Sequence, residues 1–214
     1  MAGKRVQDSV NGQRRRGRPA DAGKHAEILD VATQVFLERG YNATSMDLIA
    51  RRARVSKITI YAHFSSKETL FASIIDALAG KLTQGIQRLV CDGLPPEQAL
   101  QQVGRAYLKL ALAPGSLALH RLVVAESARV PGLGKIIHRS GPHPIVATLA
   151  KYLKGRPELR ISDPALAAEQ FLGMVLGHTQ LGLLLGARPA AATRANIDRM
   201  VDHAVGVFLS GCRV

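Results

Sequence analysis

The most informative segment of the chain comprises residues 44–71, which read TSMDLIARRARVSKITIYAHFSSKETLF. Apolar residues recur in this segment at three- and four-residue spacing, as they do along one face of a helix. Thr44 and Asp47 fit a capping-box variant at the start of the first apolar run. Ser56 stands before the next run and is expected to cap a short helix that ends near His63. The segment therefore predicts two short helices joined by a tight turn.

The apolar pattern continues on both sides of this pair of helices. Ser65 or Ser66 is expected to cap a further helix that reaches about Val90. Upstream, a helical pattern starts near Asp21 and stops at Gly40, a glycine able to take the left-handed conformation that ends a helix. Three helices therefore surround the tight turn, and a long fourth helix follows them.

The rest of the chain also lacks the strict alternation of a strand, so the sequence predicts an all-α fold of about nine helices. The later helices are expected near 96–112, 116–129, 133–154 (bent or broken around Pro142 and Pro144), 163–186 and 190–210. We divide the chain into a basic arm at 1–20 that is expected to be disordered, a helix-turn-helix domain at 21–67, a connecting helix at 68–91 and a larger helical domain at 92–214.

Positive charge is concentrated in two places along the 214 residues, whose net charge is +13. Residues 1–20 contain six basic residues and one acidic residue, and residues 51–67 contain five basic residues and none acidic. Such charge indicates a polyanionic partner, either nucleic acid or an anionic membrane surface. Two compact basic regions favour phosphate contacts.

Several classes of protein lack support in the sequence. Only two cysteines occur and no CxxC or HExxH motif is present, so we expect no metal site and no cofactor. Since no GxSxG, P-loop or paired-carboxylate motif appears, we expect no catalytic residues. The most apolar late stretch, 171–186, is too short and too polar to span a bilayer, which suggests a cytoplasmic protein that does not enter a membrane.

The second short helix carries the chemistry needed to read DNA. The major groove admits one α-helix, and a second helix must brace it across the backbone. Lys57, Thr59, Tyr61 and His63 are expected on or beside its outward face. Their ammonium, hydroxyl, phenol and imidazole groups can all bond phosphate oxygens or base edges.

These residues closely resemble the helix-turn-helix of TetR-family bacterial repressors. The match runs from Thr44-Ser45-Met46-Asp47 through Val55-Ser56-Lys57, Thr59-Ile60-Tyr61 and His63-Phe64 to Ser66-Lys67-Glu68 and Leu70-Phe71. The resemblance implies base or phosphate contacts for Lys57, Thr59 and Tyr61, phosphate contacts for His63 and Lys67, and a hydroxyl of Ser45 against the DNA backbone. Thr44 and Arg54 complete the expected DNA-binding set.

One position departs from the family pattern. The family usually has glycine where this chain has Arg54. A non-glycine residue in a left-handed turn costs about 1 kcal/mol. Either the turn uses another geometry, or the cost is accepted because Arg54 reaches a phosphate. An exposed arginine without any contact is equally compatible with the sequence.

The basic arm contains Arg-Gly-Arg-Pro at 16–19, which resembles the core of an AT-hook. Extended arginines can lie in a narrow A·T minor groove, so Arg16 and Arg18 are candidates for contacts there. The alternative is a disordered tail that adds only non-specific affinity.

The C-terminal half resembles the AefR-like group within the TetR family, on Leu119–Ser127, Pro131-Gly132-Leu133, Ser140-Gly141-Pro142 and Asp163–Gly173. This resemblance implies a cavity for an unknown small-molecule effector, with candidate lining residues Tyr107, His120, Glu126, Phe171, Met174, His178 and Gln180. Each is also compatible with a hydrogen-bonded or apolar core position. Gly173-x-x-x-Gly177 and the apolar residues of the last two helices predict either core packing or a homodimer interface, with candidates Gly173, Leu176, Gly177, Leu181, Leu184, Val201, Val205 and Phe208.

The leading hypothesis is a dimeric repressor that a ligand releases from a palindromic double-stranded DNA operator. An architectural DNA-binding protein without an inducer is the alternative, and an enzyme is a third hypothesis without a supporting motif. Sequence preference in DNA footprinting separates the first two.

Overall fold

The computed structural model describes residues 18–91, 93–130, 132–187 and 193–212, while the side chains at 18–22, 81, 82 and 89–91 lie outside that description. Within the described residues the chain forms ten α-helices and no strand, which confirms the predicted all-α class. In chain order they are α1 Arg18–Arg39, α2 Met46–Arg52, α3 Lys57–His63, α4 Lys67–Cys91, α5 Pro96–Ala111, α6 Pro114–Glu126, α7 Leu133–Ser140, α8 Pro142–Lys154, α9 Pro164–Leu184 and α10 Arg194–Cys212.

Local signals set most helix boundaries. Ser56 caps α3 as predicted, because its Oγ accepts a hydrogen bond from the backbone N–H of Thr59 at 2.9 Å. Ser66 caps α4 in the same way through the N–H of Thr69. The predicted helix at 133–154 is two helices, because Gly141 leaves helical geometry and Pro142 begins α8 without an N–H to donate backwards.

The first of two apolar clusters joins the three N-terminal helices to the start of α4. Ile28, Phe36, Ile49, Ile60 and Phe71 are completely buried within it. The cluster also takes in residues from α6 and α7, namely Leu119, Val123 and Leu133. The N-terminal helices therefore share their core with the C-terminal half of the chain.

The second cluster lies between the end of α4 and helices α5, α8, α9 and α10. Gly104 of α5 packs against α10 so closely that a Cβ there would lie 2.9 Å from Cγ1 of Val201. Arg105, one residue on, binds Asp198 at 2.6 Å and Asp202 at 2.9 Å on the same helix. Apolar contact and ion pairs together hold α10 against α5.

Helix α9 is broken at Gly177, whose φ of 48° and ψ of −149° are open to glycine and strained for other residues. Beyond this kink, the guanidinium of Arg121 on α6 donates to the carbonyl oxygens of Leu183 and Leu184 at the end of α9. A cation at this position suits the negative end of the helix dipole. The final two turns of α9 are therefore tied to α6.

In the described part of the chain, no single helix is long and apolar enough to cross a membrane, although α5 and α6, bent by 63°, pass that test as a pair.

Candidate nucleic-acid interface and cavity

Helices α2 and α3 form a helix-turn-helix, which we call the reading head and define as residues 44–67. Ala53 lies at the end of α2 and is 2% exposed, so its small side chain allows the two helices to approach closely. Arg54 takes the left-handed conformation with φ of 54°. The N–H of Val55 then donates to the carbonyl of Ala50 at 3.0 Å, which closes the turn. Arg54 thus occupies the glycine-type geometry despite its side chain.

The exposed surface of α3 presents four of the predicted DNA-binding residues. Lys57 and Tyr61 are exposed, while Thr59 and His63 are half-buried. The Nζ of Lys57 lies 2.9 Å from Oδ2 of Asp47 on α2, and the hydrogen bond and charge of that carboxylate raise the pKa of Lys57. This ion pair connects the first turn of α3 to the first turn of α2.

Thr59 and His63 lie beside partners from the same head. The hydroxyl of Thr59 lies 2.8 Å from that of Ser56, so it is shared with the cap of α3. The ring of His63 lies 5.8 Å from that of His25 on α1, and His25 lies 4.7 Å from Phe64. The start of α1 is thereby packed against the end of α3.

The sequence interpretation missed Ile58, whose side chain is 83% exposed on α3. Its position could have been found from helix geometry, since Ile60 and Phe64 are the buried pair one turn apart and Ile58 lies outside their face. An exposed apolar side chain on a groove-sized helix has the chemistry to contact the methyl group of thymine.

Two predicted DNA contacts are instead part of the internal support of the reading head. Thr44 is 2% exposed, and its hydroxyl donates to the carbonyl of Gly40 at 2.7 Å. The predicted cap of α2 at Thr44 is therefore wrong, because Ser45 holds that place and accepts from the N–H of Leu48 at 3.2 Å. Ser45 is exposed at the end of α2.

Lys67 is likewise turned inward. Its Nζ donates to the carbonyl oxygens of Tyr41 at 2.9 Å and Thr44 at 3.0 Å. The same ammonium lies 4.4 Å from the centre of the Tyr41 ring. In this structure Lys67 fastens the first turn of α4 to the loop between α1 and α2, where the sequence interpretation expected a free phosphate clamp.

The basic arm lies mostly outside the described residues, and Arg16 is among the residues not described. Helix α1 begins at Arg18, inside the segment predicted as the basic arm. Arg18 is thus helical, which differs from the extended conformation expected for a minor-groove contact.

A cavity of about 250 Å³ lies between helices α4 to α9. Three of the predicted ligand-binding residues line it: Tyr107, His120 and Gln180. Burial raises the pKa of Tyr107 and lowers that of His120, so both side chains favour their neutral forms. Most of the remaining lining is aliphatic, including Ile75 of α4 and Leu119 of α6.

The other four predicted ligand-binding residues lie elsewhere. Phe171 is completely buried and packs edge-on against Phe208, with ring centres 5.3 Å apart. Met174 and His178 are exposed on α9. Glu126 ends α6 and accepts a hydrogen bond from the amide of Asn42 at 2.9 Å. These four side chains are not part of the cavity lining. For the three on α9, the apolar pattern covers all faces and does not show which face meets the cavity.

The predicted dimer residues also separate into two groups. Val201, Val205 and Phe208 are at most 6% exposed and belong to the core of their own chain, which favours core packing over subunit contact for these three residues. Leu176 lines the cavity and Leu184 packs against the C-terminal cluster. The residues left on the surface of α9 are Gly173, Gly177 and Leu181.

Comparison with known proteins finds two family models, one in each half of the chain. Residues 28–74 match the family model for bacterial regulatory proteins of the tetR family. Residues 98–211, which are more than half of the chain, match the model for the C-terminal domain of AefR-like transcriptional repressors.

Among curated relatives, the chain is similar to the uncharacterised HTH-type transcriptional regulator YhgD of Bacillus subtilis, with 43% identity over 139 residues, 65% of this chain and 70% of YhgD. It is also similar to the HTH-type transcriptional activator FasR of Mycolicibacterium smegmatis, with 34% identity over 98 residues. That match covers 46% of this chain and 45% of FasR, and the match to the regulator YdeS of Bacillus subtilis covers 34% of YdeS.

Solved structures extend the likeness over most of the chain. A structure from Mesorhizobium loti described as a TetR-family transcriptional regulator is 31% identical, with a TM-score of 0.75 over 90% of this chain and 98% of that one. The flavonoid-responsive regulator FrrA is 36% identical, with a TM-score of 0.70 and the same two coverages. The chain therefore belongs to the TetR family of bacterial transcriptional regulators, with a C-terminal domain of the AefR-like group.

Proposed function

We propose that this regulator is a dimeric repressor that binds a palindromic operator through α3 and leaves it when a small molecule occupies the cavity. The observation that carries the proposal is the surface of the reading head. There α2 and the turn before α3 hold α3 with its polar residues facing outward. Lys57, Tyr61 and Ile58 would contact base edges, while Ser45 and His63 would contact the phosphate backbone.

Dimerisation is supported by the exposed apolar surface of the last two helices. Leu166, Met174 and Leu181 of α9 are 49%, 40% and 52% exposed, and Val207 of α10 is 51% exposed. Leu166 and Met174 are eight residues apart before the kink at Gly177, which keeps these two on one side of the helix. A two-fold pairing through this surface would present two reading heads to two half-sites.

The link between cavity and reading head is a shared set of side chains. Ile75 of α4, Leu119 of α6 and Ile137 of α7 line the cavity and also belong to, or pack against, the N-terminal apolar cluster. A ligand that separates these helices would therefore disturb the packing beneath the reading head. Release follows if the ligand binds the DNA-free arrangement more tightly than the DNA-bound one.

A polar contact reinforces this link at the end of α6. Glu126 accepts from Asn42 in the loop between α1 and α2, and a Cβ at Gly40 in the same loop would lie 2.9 Å from its other oxygen. Replacing Glu126 by Ala should leave effector binding unchanged and reduce the change in operator affinity that the effector causes. An unchanged response would remove Glu126 from the link.

The proposal is tested by selecting bound fragments from a genomic DNA library and footprinting the regulator on the selected fragments. We expect a protected site with two-fold symmetry, and we expect the adjacent genes to suggest effectors for release assays. Protection without a preferred sequence would favour the architectural alternative. The AefR-like repressor model supports a repressor, and the flavonoid response named for FrrA supports a small-molecule effector.

A further inference from the structure

The cavity has a lining that restricts the chemistry of its occupant. Among the described residues that line it, none carries a carboxylate, ammonium or guanidinium group. A charged ligand would lose its hydration there without gaining an opposite charge, and the uncompensated charge would oppose binding. The cavity therefore selects against ionised molecules.

The size of the cavity sets a second limit. A dry apolar cavity of about 150 Å³ accommodates a benzene molecule. The volume of about 250 Å³ here is larger than that and suits one or two fused rings. Aliphatic residues from different helices, such as Leu78 of α4 and Ile145 of α8, line the cavity and would contact the rings of a ligand.

The lining contains four polar side chains, Ser116 among them, and the other three can orient a ligand. In the described part of the chain, the side chains of Tyr107, His120 and Gln180 have no hydrogen-bond partner from the protein. Burial lowers the pKa of His120, so its neutral imidazole offers one donor and one acceptor at neutral pH. Their polar atoms line the cavity and are therefore available to a ligand.

We propose that the cavity binds an uncharged molecule of one or two rings that carries a hydroxyl group, such as a phenol, held by Tyr107, His120 and Gln180. The inference rests on the proposed function only in taking this cavity as the effector site. The imidazole of His120 can accept a hydrogen bond from the phenolic hydroxyl, while the hydroxyl of Tyr107 or the amide of Gln180 can donate a hydrogen bond to the phenolic oxygen.

The inference is tested with four probes that share one ring system: 2-naphthol, naphthalene, 2-naphthoate and protonated 2-naphthylmethylamine. Binding to the purified full chain at pH 7.5 is measured by calorimetry, so no DNA is needed. We expect 2-naphthol to bind about tenfold more tightly than naphthalene, because naphthalene leaves the polar groups unpaired. We expect the two charged probes to bind at least about 100-fold more weakly than 2-naphthol.

Variants then locate the selectivity in the cavity. Tyr107→Phe and His120→Leu should each weaken 2-naphthol binding by about three- to tenfold and leave naphthalene binding unchanged. His178→Leu is the matched control, because it makes the same replacement at an exposed histidine outside the cavity. It should leave the affinities of both probes unchanged.

Three results would overturn the inference: a charged probe that binds as tightly as 2-naphthol, no binding by 2-naphthol, or equal loss in His178→Leu and His120→Leu. Failure of the proposed function looks different. In that case 2-naphthol would bind with the expected selectivity while operator affinity stayed the same with and without it. The probe series on the unaltered protein needs no variant, so it decides the inference even if a substitution impairs folding.

Discussion

Lys67 provides the sharpest separation between a structural and a DNA-contacting role in the reading head. Its sequence position predicts a phosphate contact, whereas its ammonium donates to the carbonyl oxygens of Tyr41 and Thr44 and covers the Tyr41 ring. We therefore expect Lys67→Met, which keeps the apolar stem and removes the charge, to reduce stability and to affect the salt dependence of DNA binding very little.

The magnitude follows from the contacts that are lost. Each part-buried hydrogen bond from the ammonium contributes about 1 kcal/mol, towards the low end for a charged donor. The contact with the Tyr41 ring adds about 0.5–1 kcal/mol. Lys67→Met should thus lower the free energy of unfolding by about 2.5–3 kcal/mol, which corresponds to a fall in Tm of about 5–12 °C for a chain of this size.

Lys57→Met is the matched control, since Lys57 is exposed and pairs only with exposed Asp47 among the described residues. It should leave Tm nearly unchanged and reduce the discrimination between operator and scrambled DNA, because Lys57 is proposed to contact a base edge. Both variants are measured at the same protein concentration, because dimerisation makes Tm concentration-dependent. The reasoning is refuted if Lys67→Met retains the wild-type Tm and loses about 0.9 from the slope of log K against log salt concentration.

Four further predictions concern other features of the fold. Arg54→Gly should raise the free energy of unfolding by about 0.5–1 kcal/mol in urea denaturation, because glycine relieves the left-handed strain; a destabilised variant would contradict this. Gly177→Ala should lower the free energy of unfolding by about 1–3 kcal/mol, because the backbone at Gly177 is strained for alanine. Gly173→Ala should not lower it, because an added Cβ there would lie in open space. Equal effects of the two substitutions would show that the kink is not required. Ile58→Ala should weaken operator binding by about 1 kcal/mol. Replacing thymine by uracil at the contacted position should weaken operator binding by the wild type but not by the variant; additive losses would exclude the methyl contact. Burial lowers the pKa of His120 below 6.5 in the folded chain. As the pH falls below that value, the unfolded chain therefore binds more protons at His120 than the folded chain does. Stability should therefore decrease from pH 7.5 to 5.5, and His120→Leu should show a smaller decrease; an identical decrease in both proteins would contradict the role of burial.

Local signals in the sequence were sufficient for much of the fold. Ser56 begins its helix as predicted, since a cap depends only on the next three residues. The turn at Arg54 also follows from its immediate neighbours. Lys67 could not be placed in this way, because its partners Tyr41 and Thr44 lie more than 20 residues earlier, in the loop between α1 and α2.

The C-terminal half was less accessible to sequence reasoning for a different reason. Helix α9 has apolar residues on every face, so periodicity does not separate buried Phe171, cavity-lining Leu176 and exposed Leu181. The same ambiguity affected α10, where Val201 is buried in its own chain. Packing between helices far apart in sequence decides which face of α9 or α10 meets the core, the cavity or the surface. The contact between Gly104 and Val201, more than 90 residues apart, is an example.

The most direct test of the central claim compares the affinity of the full chain for its selected operator with that for a scrambled duplex of equal length and composition. Both are measured by fluorescence anisotropy at physiological salt. For a regulator that reads base edges with α3, we expect the operator to bind at least about 1,000-fold more tightly. We also expect Lys57→Ala to reduce that ratio. A ratio near one, unchanged in Lys57→Ala, would contradict the claim that this chain recognises DNA by sequence.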